Sequence, residues 1–284
     1  MESADIRKTV KELMQINHIE KISLKDLILK KKIGEGGQAK VYKGSWDNET
    51  VAVKVLEEVD WKCLAHEIVI IANLQHPIIP KFYGIVVEDK ILSLVFQYIS
   101  GKTLDEYKHS EITNDTRKKI MKDLGCVMEY IHSNKFIHRD LKPENLMWDA
   151  KNDQLYLIDF GIAKVCVDSN NTITRAKGTL HYIAPECFDC SEVDGDNQII
   201  STISPACDVW SYGCIISWLY SDYLPWLNKC KESAIQKNLT RKTAFPIPDN
   251  IKDPSVIKVI AMCTKPLISE RWTMTQVNEY LATI

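Results

Sequence analysis

Apolar positions change period once along this chain. From Asp26 to Ile99 they come in short runs bounded by turn residues. Val51-Ala52-Val53-Lys54-Val55 and Leu92-Ser93-Leu94-Val95-Phe96 are rich in β-branched and apolar side chains and predict strands. One helix is expected to interrupt them, from about Trp61 to Leu74. From Thr103 onward the period becomes helical: between Asp115 and Ile131, residues Ile120, Leu124, Val127, Met128 and Ile131 fall on one stripe. Near the start, Ser3 and Asp5 can cap a helix over residues 3–18 that carries Ile6, Val10, Leu13 and Met14 at helical spacing. The pattern predicts a flanking segment over 1–24, a small β-rich lobe over 25–99 and a larger helical lobe over 100–284. A cleft is expected at the junction near 97–101, and the polar stretch 191–205 reads as a loop.

Composition narrows the function classes. Hydrophobic residues make up 45% of the 284, enough for a substantial core in one domain or two lobes. The formal net charge of −2 supplies no global attraction for nucleic acid or an anionic membrane, so neither is expected as a partner. The longest apolar run, Val209 to Tyr220, is broken by Ser and Gly and is too short to span a bilayer. Met1-Glu2-Ser3-Ala4-Asp5 has no basic, apolar leader character, and Glu2 excludes myristoylation. Nine scattered cysteines then read as reduced thiols, and a cytoplasmic setting is expected. Cys187 and Cys190 form one C-x-x-C, but a zinc site needs a second ligand pair and Cys207 could add only one thiol. No oligomeric state is assigned.

The candidate chemistry sits in four segments. Gly34-Glu35-Gly36-Gly37 lies between two predicted strands, where glycines let backbone amides approach phosphate oxygens. No helix follows it, as a dinucleotide-binding turn would require. Lys54 lies on a strand; alone it reads as a surface lysine, but Glu67 in the next helix could pair with it. His138-Arg139-Asp140-Leu141-Lys142-Pro143-Glu144-Asn145 sets a carboxylate, an ammonium and an amide in one short segment. Asp140 can accept a hydroxyl proton, Lys142 can neutralise a transferring phosphoryl group and Asn145 can ligate Mg²⁺. Asp159-Phe160-Gly161, after a hairpin expected over 149–157, places a carboxylate beside a glycine, as suits a metal ligand on a movable loop.

In this order, the segments resemble the protein-kinase signature from about Ile33 to Arg271. The resemblance implies an α+β two-lobed fold, with a small antiparallel sheet and one key helix ahead of a mainly helical lobe. It implies ATP and Mg²⁺ as cofactors. Gly34, Gly36 and Val41 would cover the nucleotide, and Lys54, held by Glu67, would contact its α/β-phosphates. Ile33, Val41, Ala52 and Met147 would sandwich adenine, and Gln97 to Ile99 would form a hinge whose backbone binds the adenine edge. Phe96 would close the pocket behind it. Asp140 would be the base or hydroxyl-orienting residue, Lys142 would assist at the γ-phosphate, and Asn145 and Asp159 would hold Mg²⁺. Ile71, Phe82, His138 and Phe160 match a stacked spine; Glu186 should pair with Arg271. Thr174, then Thr172 and Ser169, are candidate phosphorylation sites whose phosphate Arg139 could bind.

Departures from the pattern refine this reading. Ala39 replaces the third glycine, Gln38 replaces a frequent aromatic at the loop tip, Gln97 replaces the hinge acid and Trp272 replaces a proline. Residues 190–205 are an insertion relative to the family pattern. Lys142-Pro143-Glu144 and Gly178-Thr179 resemble serine/threonine kinases, whereas Val41-Tyr42-Lys43-Gly44-Ser45-Trp46 and the segment around Arg271-Trp272 resemble the tyrosine-kinase-like group. A serine/threonine kinase of that group, acting on proteins, reconciles both; dual specificity is a further possibility prompted by the insertion. A pseudokinase usually lacks one of the key polar residues, and all of Lys54, Glu67, Asp140, Asn145 and Asp159 are present. A small-molecule kinase would not need the Ala184-Pro185-Glu186 segment.

Overall fold

The computed structural model describes residues 15, 19–35, 39–56, 64, 68, 70–88, 91–159, 179–188, 204–226 and 231–284. The chain divides into two compact units, one drawn from residues 1–101 and 149–165, the other from 102–148 and 166–284. Apart from Gln15, the helix expected over 3–18 lies outside the described residues.

The first unit is built on a five-stranded antiparallel sheet: β1 (Leu27–Glu35), β2 (Ala39–Trp46), β3 (Glu49–Leu56), β4 (Phe82–Glu88) and β5 (Ile91–Gln97), in the order β1-β2-β3-β5-β4. Asp47 and Asn48 join β2 to β3 with φ of 47° and 61°, so Trp46 lies opposite Glu49. Two residues at positive φ give the turn whose twist matches flanking strands, and Asp and Asn tolerate it best after glycine. Alternation then sorts β3. Val51 and Val53 point into a cluster with Ile22, Leu27, Val86 and Val95. Ala52 and Lys54, between them, face the other way, as do their cross-strand neighbours Phe96 and Leu94. That second face carries a cluster of Leu64, Ile68, Ile85, Leu92 and Leu94. Leu64, Ile68 and residues 70–73 are helical, within the helix expected between Trp61 and Leu74.

The second unit is mainly helical. Helix α1 (Asn114–Ser133) starts at Thr113, whose hydroxyl accepts the Thr116 N–H at 3.2 Å, and buries the predicted stripe. After α1 come β7 (Leu146–Asp149), which pairs with the two-residue strand β6 (Lys102–Thr103), and the four-residue helix α2 (Pro185–Phe188). Strand β8 (Gln154–Leu157) is part of the first unit, where Leu157 N–H donates to the Ile78 carbonyl at 2.9 Å. Helix α3 (Ala206–Ser221) is almost wholly buried, with α4 (Glu232–Thr240), α5 (Pro254–Cys263) and α6 (Met274–Leu281) following. Several of its buried hydroxyls are bonded to main-chain carbonyls: Tyr212 donates to the Met121 carbonyl at 2.9 Å and Ser221 to the Ser217 carbonyl at 2.7 Å. The result is the expected α+β class. Among the described residues, no helix is long and apolar enough to cross a membrane.

Close contact between α3 and α5 depends on Gly213. A Cβ there would lie 2.8 Å from Cys263 Cβ and from Thr264 Cγ2. Gly213→Ala is therefore expected to destabilise the protein by about 1–3 kcal/mol through overpacking. Urea unfolding of the two forms measures it; an unchanged midpoint would show that the helices have room to separate.

Candidate functional site

In the first unit, strand register gathers the expected nucleotide-side residues on one face of the sheet. Gly34 lies opposite Val41, Val41 opposite Lys54, and Ala52 opposite Phe96. Ile33 remains 45% exposed. From that face, Lys54 Nζ donates to Asp159 Oδ1 at 3.3 Å, joining a strand lysine to a carboxylate far along the chain. Gly36, Glu67 and Phe160 lie outside the described residues, and so does the expected Lys54–Glu67 pair. The Gln97 N–H is engaged by the Lys81 carbonyl at 2.8 Å, and the Gln97 side chain accepts the Lys81 N–H at 3.2 Å. This return bond ties the start of the expected hinge to the strand before it. Ile99 is buried, and the Phe96 ring sits 5.3 Å from that of Phe82 at a tilted angle.

The second unit holds the remaining polar candidates, and it brings three of them together. Lys142 Nζ donates to Asp140 Oδ2 at 2.8 Å. Asn145 Nδ2 donates to the Asp140 carbonyl at 2.7 Å and to its Oδ2 at 3.1 Å. Pro143 begins a short 3₁₀ turn, closed by Asn145 N–H on the Lys142 carbonyl at 3.0 Å, and this turn folds the amide back over the carboxylate. With Nδ2 committed to Asp140, Asn145 keeps Oδ1 as the atom able to ligate a hard cation. Asp140 and Lys142 are 28% and 19% exposed, so reactants can reach them while neither is freely solvated. Met147 lies on β7 opposite Thr103.

This segment is anchored from below by a residue whose role the sequence did not disclose. Asp208 is fully buried in the first turn of α3. It accepts the backbone N–H of His138 at 2.8 Å and of Arg139 at 2.7 Å, and its Oδ2 lies 2.9 Å from His132 Nε2. Burial pushes its pKa up, but the His132 and His138 imidazoles and the Arg139 amide outweigh that and hold it below the usual range. Arg139 sits at φ 68°, a conformation a non-glycine residue rarely adopts, and it is held on both sides, by its own N–H on Asp208 and by the Asp140 N–H, which donates to His138 Nδ1 at 3.3 Å. The signal was a lone carboxylate in an apolar helix; His132, at the end of α1, had none.

A second buried charge organises the end of the 179–188 segment. Arg271 donates to Glu186 Oε1 at 2.6 Å and Oε2 at 3.1 Å, and to the Ala206 and Lys265 carbonyls at 2.8 and 3.0 Å. This is the pair expected from the sequence. Beside the site, burial pushes the Glu144 carboxyl up, and Asp105 adds to the effect. Tyr182 is raised well above the usual phenol range by burial, with Glu144 contributing. Ser169, Thr172 and Thr174 lie outside the described residues, as does the Thr179 side chain.

The chain matches the family described as protein kinase domain over residues 27–281. It is 30% identical over 91% of its length to calcium-dependent protein kinase 5 of Plasmodium berghei (strain Anka), covering 44% of that protein. It is 28% identical over 92% of its length to RasGEF domain-containing serine/threonine-protein kinase X of Dictyostelium discoideum, covering 27% of that protein. To serine/threonine-protein kinase STY46 of Arabidopsis thaliana it is 31% identical over 72% of its length, covering 35% of that protein. The chain thus spans less than half the length of these relatives.

The Arg271 side chain is fully buried and that of Glu186 nearly so. Removing one partner of such a pair strands the other in a low dielectric, so Arg271→Met is expected to cost about 3–5 kcal/mol. Chemical denaturation measures the loss; a cost below about 1 kcal/mol would place the pair among solvent-screened bridges.

Proposed function

Since the chain belongs to the protein kinase domain family, we propose that it transfers the γ-phosphoryl group of ATP to serine or threonine hydroxyls of protein substrates. The observation that carries this reading is the Asp140 carboxylate, gripped at once by the Lys142 ammonium and the Asn145 amide. A carboxylate so oriented can receive the proton of an attacking hydroxyl, and the ammonium beside it can offset charge on the phosphoryl group in flight. Because Lys142 and Asn145 are set before any substrate arrives, little reorganisation is left to the reaction step.

The cofactors fit the donor chemistry of each unit. Lys54 is a phosphate-binding ammonium whose neighbouring Asp159 offers carboxylate oxygens of the kind Mg²⁺ prefers. Asn145 Oδ1 is a second hard donor. When bound, Mg²⁺ would neutralise phosphate charge. Gly34, Gly36 and Val41 would cover the nucleotide, and Ile33, Ala52 and Met147 would line adenine. The Gln97–Lys81 bond leaves Gln97 to contribute through its carbonyl and Ile99 through its backbone. Glu67 would hold Lys54. Thr174, before Thr172 and Ser169, is the candidate acceptor of a regulatory phosphate for Arg139. Hydroxyl specificity rests on Lys142-Pro143-Glu144 and on the serine/threonine kinases among the relatives.

With γ-labelled ATP, Mg²⁺ and a mixed peptide library, the wild-type chain is expected to yield phosphoserine and phosphothreonine. Lys54→Met and Asp159→Asn should each lower turnover by about 10²-fold or more while the protein stays folded. Near-wild-type turnover in either folded variant would refute the catalytic assignment and leave a binding module. Phosphotyrosine as the sole product would refute the hydroxyl class.

A further inference from the structure

The stretch ahead of β1 grips an edge of the first unit's sheet. β4 stands last in the order β1-β2-β3-β5-β4, so it forms one edge of that sheet. Residues 19–24 run along this edge, and they precede the span 27–281 that matches the family. Lys21 pairs with Ile85 in parallel: the Ile85 N–H donates to the Glu20 carbonyl at 3.0 Å, and the Ile22 N–H donates to the Ile85 carbonyl at 2.9 Å. The Leu24 N–H then donates to Glu88 Oε1 at 2.9 Å. Gly84 makes room for the crossing, since a Cβ there would run into the Glu20 carbonyl. Ile19 and Ile22 are three residues apart on extended chain, so they point to opposite faces of the sheet. Ile22 is buried in the cluster of Leu27, Val51, Val53, Val86 and Val95. Ile19 packs against the cluster of Leu64, Ile68, Ile85, Leu92 and Leu94, on the face that carries Lys54.

A short chain of neighbours leads from this strap to Lys54. Ile85 gives its main-chain N–H and carbonyl to the strap and its side chain to the cluster that Ile19 covers. In the ladder Ile85 lies opposite Leu94, and Leu94 lies opposite Lys54 on β3. The ladder gains support where it is irregular, because β4 shifts register against β5 between Phe82 and Gly84, immediately before Ile85. We propose, on the strength of the kinase reading above, that residues 19–24 are a strap that positions Lys54 for phosphoryl transfer, with Ile19 as its positioning residue. Ile19 acts through its neighbours and not on a reactant. It closes the cluster between the sheet and the helical turn of Leu64 and Ile68, and so fixes the face beneath the lysine. Truncating Ile19 leaves the two main-chain bonds to Ile85 but lets this face shift. Since misplacing a reacting group by about 1 Å can cost about 10²-fold in rate, a smaller shift of the ammonium suffices to slow transfer about 10-fold.

The test uses the full chain. In Ile19→Ala, kept at a temperature where circular dichroism shows it folded, kcat at saturating ATP should fall about 10-fold while the Kd for an ATP analogue changes less than about 3-fold. Ile19→Leu refills the wedge and should restore kcat to within about 2-fold of wild type. Hydrogen exchange read by mass spectrometry adds a measurement that needs no turnover. Ile19→Ala should speed exchange in peptides covering 64–74 and 91–97 and leave those of α1 and α3 unchanged. Gly84→Ala, which drives the Glu20 carbonyl away, should speed exchange of the Ile85 amide. Wild-type kcat in folded Ile19→Ala would overturn the proposal. So would exchange that quickens equally in α1 and α3, or an Ile85 amide as protected in Gly84→Ala as in wild type. If the wild-type chain itself transfers no phosphate, the kinase reading fails, and the exchange pattern alone then decides whether the strap holds the Lys54 face.

Discussion

The organisation of the 138–145 segment depends on one buried carboxylate. Placing the Asp208 charge inside an apolar helix costs several kcal/mol in lost hydration, and only fixed donors can offset it. Two of those donors are consecutive backbone amides, His138 and Arg139, and a peptide can present both to one carboxylate only if it bends sharply. With the His138–Arg139 peptide pinned there, the chain turns at the next rotatable bond, the φ of 68° at Arg139. The electrostatic demand of Asp208 thus becomes a backbone conformation. That conformation launches Asp140 in the direction where Lys142 and Asn145 can close on its carboxylate. The strained residue is stable because removing its partner would leave two buried amides unsatisfied, each costing about 1–3 kcal/mol.

Lys54 in the first unit is positioned by a different rule. No buried charge places it; the period of two in β3 does. Val51 and Val53 must enter one cluster, so Ala52 and Lys54 must face the other way, beside Phe96 and Leu94. A slip of one residue would bury the ammonium among valines, which the desolvation cost of a lysine forbids. Asp159 then supplies the opposite charge that a half-buried lysine seeks.

Much of this was legible in the sequence because the information was local. Alternation marked β3 and β5, the helical stripe marked α1 to within two residues at each end, and the short 138–145 segment contains all three side chains that meet at Asp140. The pairing of Glu186 with Arg271 came from resemblance and has the expected geometry. What was not legible joins distant positions through the backbone. Asp208 lies in the first turn of α3, and nothing in the neighbouring sequence says that its oxygens serve amides 69 and 70 residues earlier. The Gln97–Lys81 return bond is of the same kind.

If Asp208 sets the geometry of the segment proposed to carry phosphotransfer, its charge should matter to turnover more than to nucleotide affinity. Asp208→Asn keeps size and shape but removes the charge, so at most one oxygen remains to serve both amides. The most direct measurement compares kcat at saturating ATP with the Kd for an ATP analogue, in variant and wild-type proteins shown to be folded by circular dichroism. The account predicts a fall in kcat on the order of 10²-fold, as a misplacement of about 1 Å would produce, with nucleotide affinity changed only a few-fold. A folded variant with wild-type kcat would contradict it, because the segment would then hold its shape without the charge beneath it.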